Sequence, residues 1–329
     1  MCYTHAMAKY TKEELVEQIM TYSGVSRSTI FRYFAKKQIR PASFEAITKA
    51  LERLTDNGQV KNRAKTIVIS VSPSLGIFKG NTHALEGILQ ECSARSIPIR
   101  IDYDRSQDKH NCGVIVLGMK YHELDDEIEY LKSQNINFVV VNRIINNPDV
   151  SYVAVDNRQA MKDLTNHLLD QGYQRIALWG ETIPGIAVDK RQGYEQAIKE
   201  RGLECNPSLF FDAEKISLEQ AIETSMTSKN PPDAWMSMDD ETAIRMMKHL
   251  QHLGYTVGSD IGVCGFNDIG SAAVVTPPLT STLIPFREMG KVAAQTLWYL
   301  MEHPEVHTSK VIVRHEVHLR QSSEHRDII

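Results

Sequence analysis

No apolar run among the 329 residues approaches the length that crosses a bilayer. The opening stretch "MCYTHAMAKYTKEEL" lacks the apolar core of a secretory signal, so export is not expected; Met7 offers an alternative start to Met1. Cysteine is scarce. The five residues Cys2, Cys92, Cys112, Cys205 and Cys264 are scattered, odd in number and free of Cys-x-x-Cys spacing. That excludes a disulfide framework and a zinc site, and reduced thiols in a cytoplasm are the expectation. There is no Gly-x-Gly-x-x-Gly and no Gly-Lys-Ser/Thr loop, so the usual signals of phosphate cradling are missing. No Ser-His-Asp arrangement and no metal-ligand spacing stands out. The acidic run "MDDE" (238–241) suits a helix start better than a magnesium site. No cofactor, no metal and no catalytic group is expected, and the chain is not read as an enzyme.

Charge is present but unevenly spread. Residues 1–65 hold 12 Lys/Arg against 6 Asp/Glu, and the remainder holds 25 against 35, which together give the net −4. A basic head on an acidic body suggests that the head meets a polyanion.

Residues 11–54 carry the pattern of three helices. Thr11 and Glu14 have capping-box spacing, and Leu15, Ile19 and Met20 form the first apolar stripe. Ser23-Gly24-Val25 is the turn. Ser26 caps a second helix to about Ala35, and Pro41-Ala42-Ser43 opens a third, with Ala46, Ile47, Ala50, Leu51 and Leu54 on one face and an end at Asp56-Asn57-Gly58. From Thr66 the pattern changes to apolar strand runs alternating with helical segments. The strands are expected at 66–72, 97–103, 113–119, 138–143, 152–157, 175–181, 208–212, 234–239 and 261–267. Such runs imply an α/β fold with parallel sheets covered on both faces. There are too many units for one open sheet, so two similar lobes are expected.

A helical wheel over 26–35 separates two faces. Ile30, Tyr33 and Phe34 lie on one side; Arg27, Ser28, Phe31 and Arg32 lie on the other. An aromatic between arginines suits a DNA groove, where arginine bonds guanine edges or phosphates and a ring touches a thymine methyl. Ser26, Thr29 and Lys36 at the rim are placed to meet the backbone. A helix, a short glycine turn and a second helix form the helix-turn-helix geometry.

"GVSRSTIFRYF" (24–34), followed by a third helix and a two-lobed body, resembles the lactose-repressor/galactose-repressor (LacI/GalR) family of bacterial transcription factors. The body motifs "VDNRQAMKDLTNHLLDQGYQRIALWG" (155–180), "KRQGYEQAIKERGL" (190–203), "PPDAWMSMDDETAIRMMKHLQHLGYTVGSDIGVCGFND" (231–268) and "TPPLTSTLIPFREMGKVAAQTLWYLME" (276–302) agree with it, so the resemblance spans about 12–322. It implies a body like that of periplasmic sugar-binding proteins, a homodimer, base reading by residues 27, 28 and 32, and double-stranded operator DNA under the control of a sugar-like effector. A cytoplasmic repressor with no membrane contact is therefore expected. The alternative is a sugar sensor acting through protein partners alone. The domain limits expected are 1–56 for the helix-turn-helix, 57–65 for the linker, 66–171 with 284–307 for the first lobe, and 172–283 with 308–324 for the second.

Two departures from the family pattern have consequences. The linker is short and lacks the family's wedging leucine; Val60 is its one apolar candidate for the minor groove, which implies a weaker bend in the operator. Between 103 and 113 "DRSQDKHNC" leaves no room for a crossover helix, so one face of the first lobe is expected to lack cover.

Ligands of such folds bind at the carboxyl ends of strands. The strand ends carry Asp156-Asn157, Asp189-Lys190-Arg191, Asp239-Asp240 and Asn267-Asp268, and carboxylates and amides there suit sugar hydroxyls. For Asp156, Asp240 and Asp268 a helix-capping role is an equal alternative. The resemblance further implies that Lys190 replaces the family's ligand arginine, with Arg191 beside it, and that Asp239 and Asn267 exchange the family's Asn and Asp. In the first lobe Phe78 and Asn81 are the candidates. Trp179 and Trp235 suit stacking on a sugar ring or burial in the core.

Overall fold

The computed structural model describes residues 11–35, 37–59, 65–72, 79–102, 112–181 and 185–324. The chain divides into two compact units, Met1–Lys65 and Thr66–Ile329.

The first unit holds α1 (Lys12–Ser23), α2 (Arg27–Phe34) and α3 (Pro41–Gln59). The capping box forms: the Thr11 N–H donates to Glu14 Oε2 at 2.8 Å, and the Glu14 N–H donates to Thr11 Oγ1. Gly24 ends α1 at φ 64°, a left-handed conformation that side chains other than glycine's disfavour. Leu15, Val16, Ile19, Ile30, Ile47, Ala50, Leu51 and Leu54 form the buried core, with Tyr33 and Phe34 half-buried against it. Met20, expected in the stripe, is at the surface, and Val16 takes the inner position. α3 runs to Gln59 rather than ending at 56–58, so three of the expected linker residues are helical. Val60 lies outside the described residues.

The second unit opens with β1 (Thr66–Val71), α4 (Lys79–Ala94), β2 (Ile99–Asp102), β3 (Cys112–Leu117), α5 (Tyr121–Ser133), β4 (Phe138–Val141) and β5 (Ser151–Ala154). It continues with α6 (Asn157–Asp170), β6 (Ile176–Gly180), α7 (Ile186–Glu200), β7 (Phe210–Asp212), α8 (Leu218–Met226), β8 (Ala234–Ser237), α9 (Asp240–His252) and β9 (Gly262–Asn267). β10 (Thr280–Leu283), α10 (Phe286–Glu302), β11 (Lys310–Ile312) and β12 (Glu316–His318) complete it. The first sheet has the order β11-β5-β4-β3-β1-β2 and is parallel throughout; the second has the order β12-β10-β9-β8-β6-β7, with β12 antiparallel to β10.

Alternating strand residues serve opposite faces. Ile67, Ile69, Ile115, Val139 and Val153 meet α4 and α10, while Val68, Val114, Val116 and Val140 meet α5. In the second sheet Ile176, Leu178, Met236 and Phe266 share a core with α6 and α7, and Ala177, Trp235 and Val263 share one with α8 and α9. Both sheets are therefore covered on both faces, as near-continuous apolar strands require.

Three short strands escape the sequence pattern: β10 is Thr-Ser-Thr-Leu, and β11 and β12 have three residues each. They also shift the expected lobe limits. α6 packs on α7 and on the second sheet, so the chain leaves the first lobe near 155, not at 171. β11 pairs with β5 in the first sheet, so the last return to the second lobe falls between 312 and 316, not at 307. Periodicity shows that a helix exists but not which sheet it covers. The helix-free face expected for the first lobe is not found among the described residues, since α4 and α10 cover one face of its sheet and α5 the other; β2 is an edge strand paired to β1, with Ile101 38% exposed, and residues 103–111 lie outside the described residues.

Candidate functional site

On α2 the two faces separate as the wheel implies. Ile30 is fully buried, whereas Arg27, Ser28, Arg32 and Phe31 are exposed, the last at 39%. An exposed phenylalanine loses favourable burial, and here the Arg27 guanidinium stands 6.0 Å from its ring centre, within cation–π range. Ser26 starts the helix without a side-chain cap bond; its hydroxyl instead lies 3.2 Å from Ser28 Oγ and 2.9 Å from Thr29 Oγ1. Three hydroxyls thus converge on the amino end of α2, where backbone N–H groups favour an anion. Arg27 approaches Glu13 at 3.8 Å, and Arg32 donates to the Gln38 carbonyl at 2.9 Å. Both contacts are exposed and exchangeable. Lys36 lies outside the described residues.

The second lobe holds a cavity of about 680 Å³ at the carboxyl ends of β6, β7, β8 and β9. Parallel strands ending together leave this crevice, which the following helices α7, α8 and α9 border. Trp179, Ile186, Met238 and Ile269 supply apolar wall; Glu181, Lys190, Asp239 and Asn267 supply polar groups.

The eight expected ligand residues part company here. Lys190 lines the cavity at 6% exposure; its ammonium donates to the Met238 carbonyl at 2.7 Å and stands 3.8 Å from the Phe266 ring centre. Burial pulls its pKa down to about 8, against the attraction of Asp239, Asp240 and Glu181. Asp239 also lines the cavity and caps α9, accepting the Thr242 N–H at 2.8 Å. The capping and wall roles coincide in one carboxylate. Asn267 is a wall residue, 7% exposed, with φ 100°.

The others are elsewhere. Arg191 turns away from the cavity, donates from Nε to Glu195 at 2.8 Å and lies 4.0 Å from the Phe210 ring centre. One residue after Lys190 is a 100° rotation on a helix, which carries the side chain off the wall. Asp156 caps α6 through the Gln159 N–H and is not a wall residue. Asp268 accepts two bonds from Arg320, at 2.7 and 2.9 Å, and faces His318 Nδ1 at 2.6 Å, so its side chain is consumed. Asn81 sits half-buried in α4 and is not among the cavity's lining residues; Phe78 lies outside the described residues.

Asp240, for which wall and cap were equal expectations, is a buried wall residue, and Asp239 is the cap of α9. Asp240 accepts the Ser281 hydroxyl at 2.5 Å and the Ile269 N–H at 2.7 Å, and burial raises its pKa to about 7. Gly265 makes room for it: a Cβ there falls 2.3 Å from Asp240 Oδ1. The two tryptophans divide. Trp179 reaches the cavity; Trp235 is fully buried and stacks on Phe211. Among the described residues no group of His, Cys, Asp and Glu is arranged to hold a metal ion, and no helix is long and apolar enough to cross a membrane.

A periplasmic binding protein-like domain model matches residues 165–323. The chain is 26% identical to a probable HTH-type transcriptional repressor, ExuR, of Bacillus subtilis, over 93% of this chain and 97% of that one. It is 26% identical to the HTH-type transcriptional regulator CelR of Thermobifida fusca, over 86% and 90%. Among solved structures, a CelR–cellobiose complex superposes with a TM-score of 0.68 at 24% identity, covering 93% of this chain and 99% of that one. A lac repressor dimer bound to operator and an anti-inducer superposes at 0.66 with 17% identity, covering 93% and 98%. At these identities the superpositions speak for the fold.

Proposed function

We propose that the chain is a cytoplasmic, homodimeric repressor of the LacI/GalR family of bacterial transcriptional regulators, which reads operator DNA with α2 and takes a sugar or sugar derivative in the second-lobe cavity. The observation that carries the DNA reading is the outer face of α2, where Arg27, Ser28, Phe31 and Arg32 are exposed around a buried Ile30. Arginine forks match guanine edges, and an exposed ring matches a thymine methyl. A dimer presents two such helices to two half-sites one helical turn apart.

The cavity supports the effector reading. Its size suits a mono- or disaccharide, and it pairs an apolar indole with the convergent polar groups Asp239 and Asn267. No step of catalysis is assigned to these residues. Operator and effector affinities are coupled, and the coupling is reciprocal: an effector that lowers operator affinity is itself bound more weakly by the operator complex. A sensor acting only through protein partners is disfavoured by relatives named as HTH-type regulators.

The test is a gel shift with the promoter DNA flanking the protein's own gene. Salt-sensitive, sequence-specific retention is expected. Its absence for the intact chain and the isolated head alike favours the partner-only reading.

A further inference from the structure

The charge on the cavity wall narrows the effector class. Five carboxylates line it: Glu181, Glu219, Asp239, Asp240 and Glu241. Only two lining side chains among the described residues are cationic, Lys190 and Arg245, and both are engaged. Lys190 is buried, bonded to the Met238 carbonyl and packed over Phe266. Arg245 donates to Glu219 at 3.0 Å. An anion that captured Arg245 would release Glu219 beside itself, replacing one repulsion by another. Arg143 reaches Gly185 at the start of α7 from the first lobe, but it lies in the field of Asp189 and donates to the Met119 carbonyl. Burial leaves Asp240 partly protonated at neutral pH, and Asp239 and Glu181 line the space beside it.

An independent feature points to a hydroxylated ligand. Asn267 is more than nine-tenths buried on the wall, and no described residue bonds its side-chain amide. The amide opens onto the cavity rather than being sealed from it, and a ligand offering both donors and acceptors pairs both of its ends. Sugar hydroxyls do both; a carboxylate or phosphate only accepts. The backbone at Asn267 and Asp268 takes positive φ, 100° and 49°, and Arg320 and His318 hold Asp268, which keeps the Asn267 amide aimed at the space.

We propose that this cavity selects a polyhydroxylated effector without negative charge, neutral or amine-bearing, and rejects uronates and sugar phosphates. The proposal rests on the reading of the cavity as the effector site.

The experiment measures ligand-induced thermal shift and calorimetric affinity of the full chain. Its probes are glucose, galactose and mannose, each as the neutral sugar, the 2-amino sugar, the uronate and the 6-phosphate. At least one neutral or amino member is expected to bind, with the uronate and phosphate of the same skeleton at least tenfold weaker. Asn267→Gly, which tolerates the positive φ and deletes the amide, should weaken that binding at least tenfold. Asp239→Asn, which keeps the cap, should narrow the gap between neutral and anionic members at least threefold. A uronate or phosphate that binds as tightly as its neutral partner, and loses affinity in Asn267→Gly, overturns the charge inference and leaves the effector site standing. Binding untouched by either variant overturns the site itself. No shift from any of the twelve probes overturns both.

Discussion

Asp268 stands one residue from Asn267, and the two side chains have unrelated fates. Arg320, fifty-two residues away, grips Asp268 with two bonds, so a carboxylate that reads as a ligand in sequence is a structural anchor. Its side chain is only 8% exposed. Removing one partner of a buried pair typically costs about 3–5 kcal/mol, and with His318 Nδ1 still against the carboxylate the lower end of that range applies. Arg320→Ala is therefore expected to lower the body's unfolding free energy, measured by denaturant titration, by that order. A change within error would show that the pair contributes nothing. Asp240 makes a second prediction at this scale. Its pKa rises from 3.8 to about 7 through burial, reinforced by Asp268 and Asp239. A raised folded pKa means that the folded state binds the proton more tightly. The stability this provides is full below about pH 4 and is lost as pH rises through about 7, by at most about 4 kcal/mol. The slope of the thermal midpoint between pH 4 and 8 should therefore be shallower in Asp240→Asn than in the wild type, and equal slopes would contradict the assignment.

Each lobe closes a helix pair on glycine. In the first, a Cβ on Gly290 of α10 falls 1.9 Å from the Ala84 carbonyl of α4, and one on Gly87 falls 1.9 Å from the Arg287 carbonyl. In the second, a Cβ on Gly193 of α7 falls 2.1 Å from the Arg158 carbonyl of α6. The obstructing atoms are backbone, so the helices themselves must move apart. Overpacking of this kind costs about 1–3 kcal/mol. Gly290→Ala should destabilise the body by that amount, although alanine is the better helix former by about 1 kcal/mol; a stabilised variant would show that the helices yield freely. In sequence these glycines are only weak points in helical patterns. Their reason lies in a partner helix far along the chain.

At the scale of the whole molecule, the basic first 65 residues and the acidic remainder divide polyanion binding from small-molecule binding. Arg27→Ala is expected to cost about 1–3 kcal/mol of operator affinity and to relax one base position. An equal loss on every sequence would mark a phosphate contact instead, and binding titrations over a set of single-base operator variants distinguish the two. Much of this architecture is legible without coordinates. The capping box at Thr11, the two faces of α2 and nine of the twelve strands are written in local spacing, because helix and strand periods are set by neighbours in the chain. β10, β11 and β12 are not, since they are too short and polar to show a period and are held by pairing with distant strands. The same limit divides the site. Sequence alone determined that polar residues gather at strand ends and that Lys190 and Asp239 stand among them. Tertiary structure decided that Arg191 turns outward, that Trp235 fills the core while Trp179 faces the cavity, and that Asn267 lines the cavity while Asp268 is bonded by Arg320 and His318. A side chain's availability depends on which groups from remote segments have already bonded it, and local spacing carries no record of them.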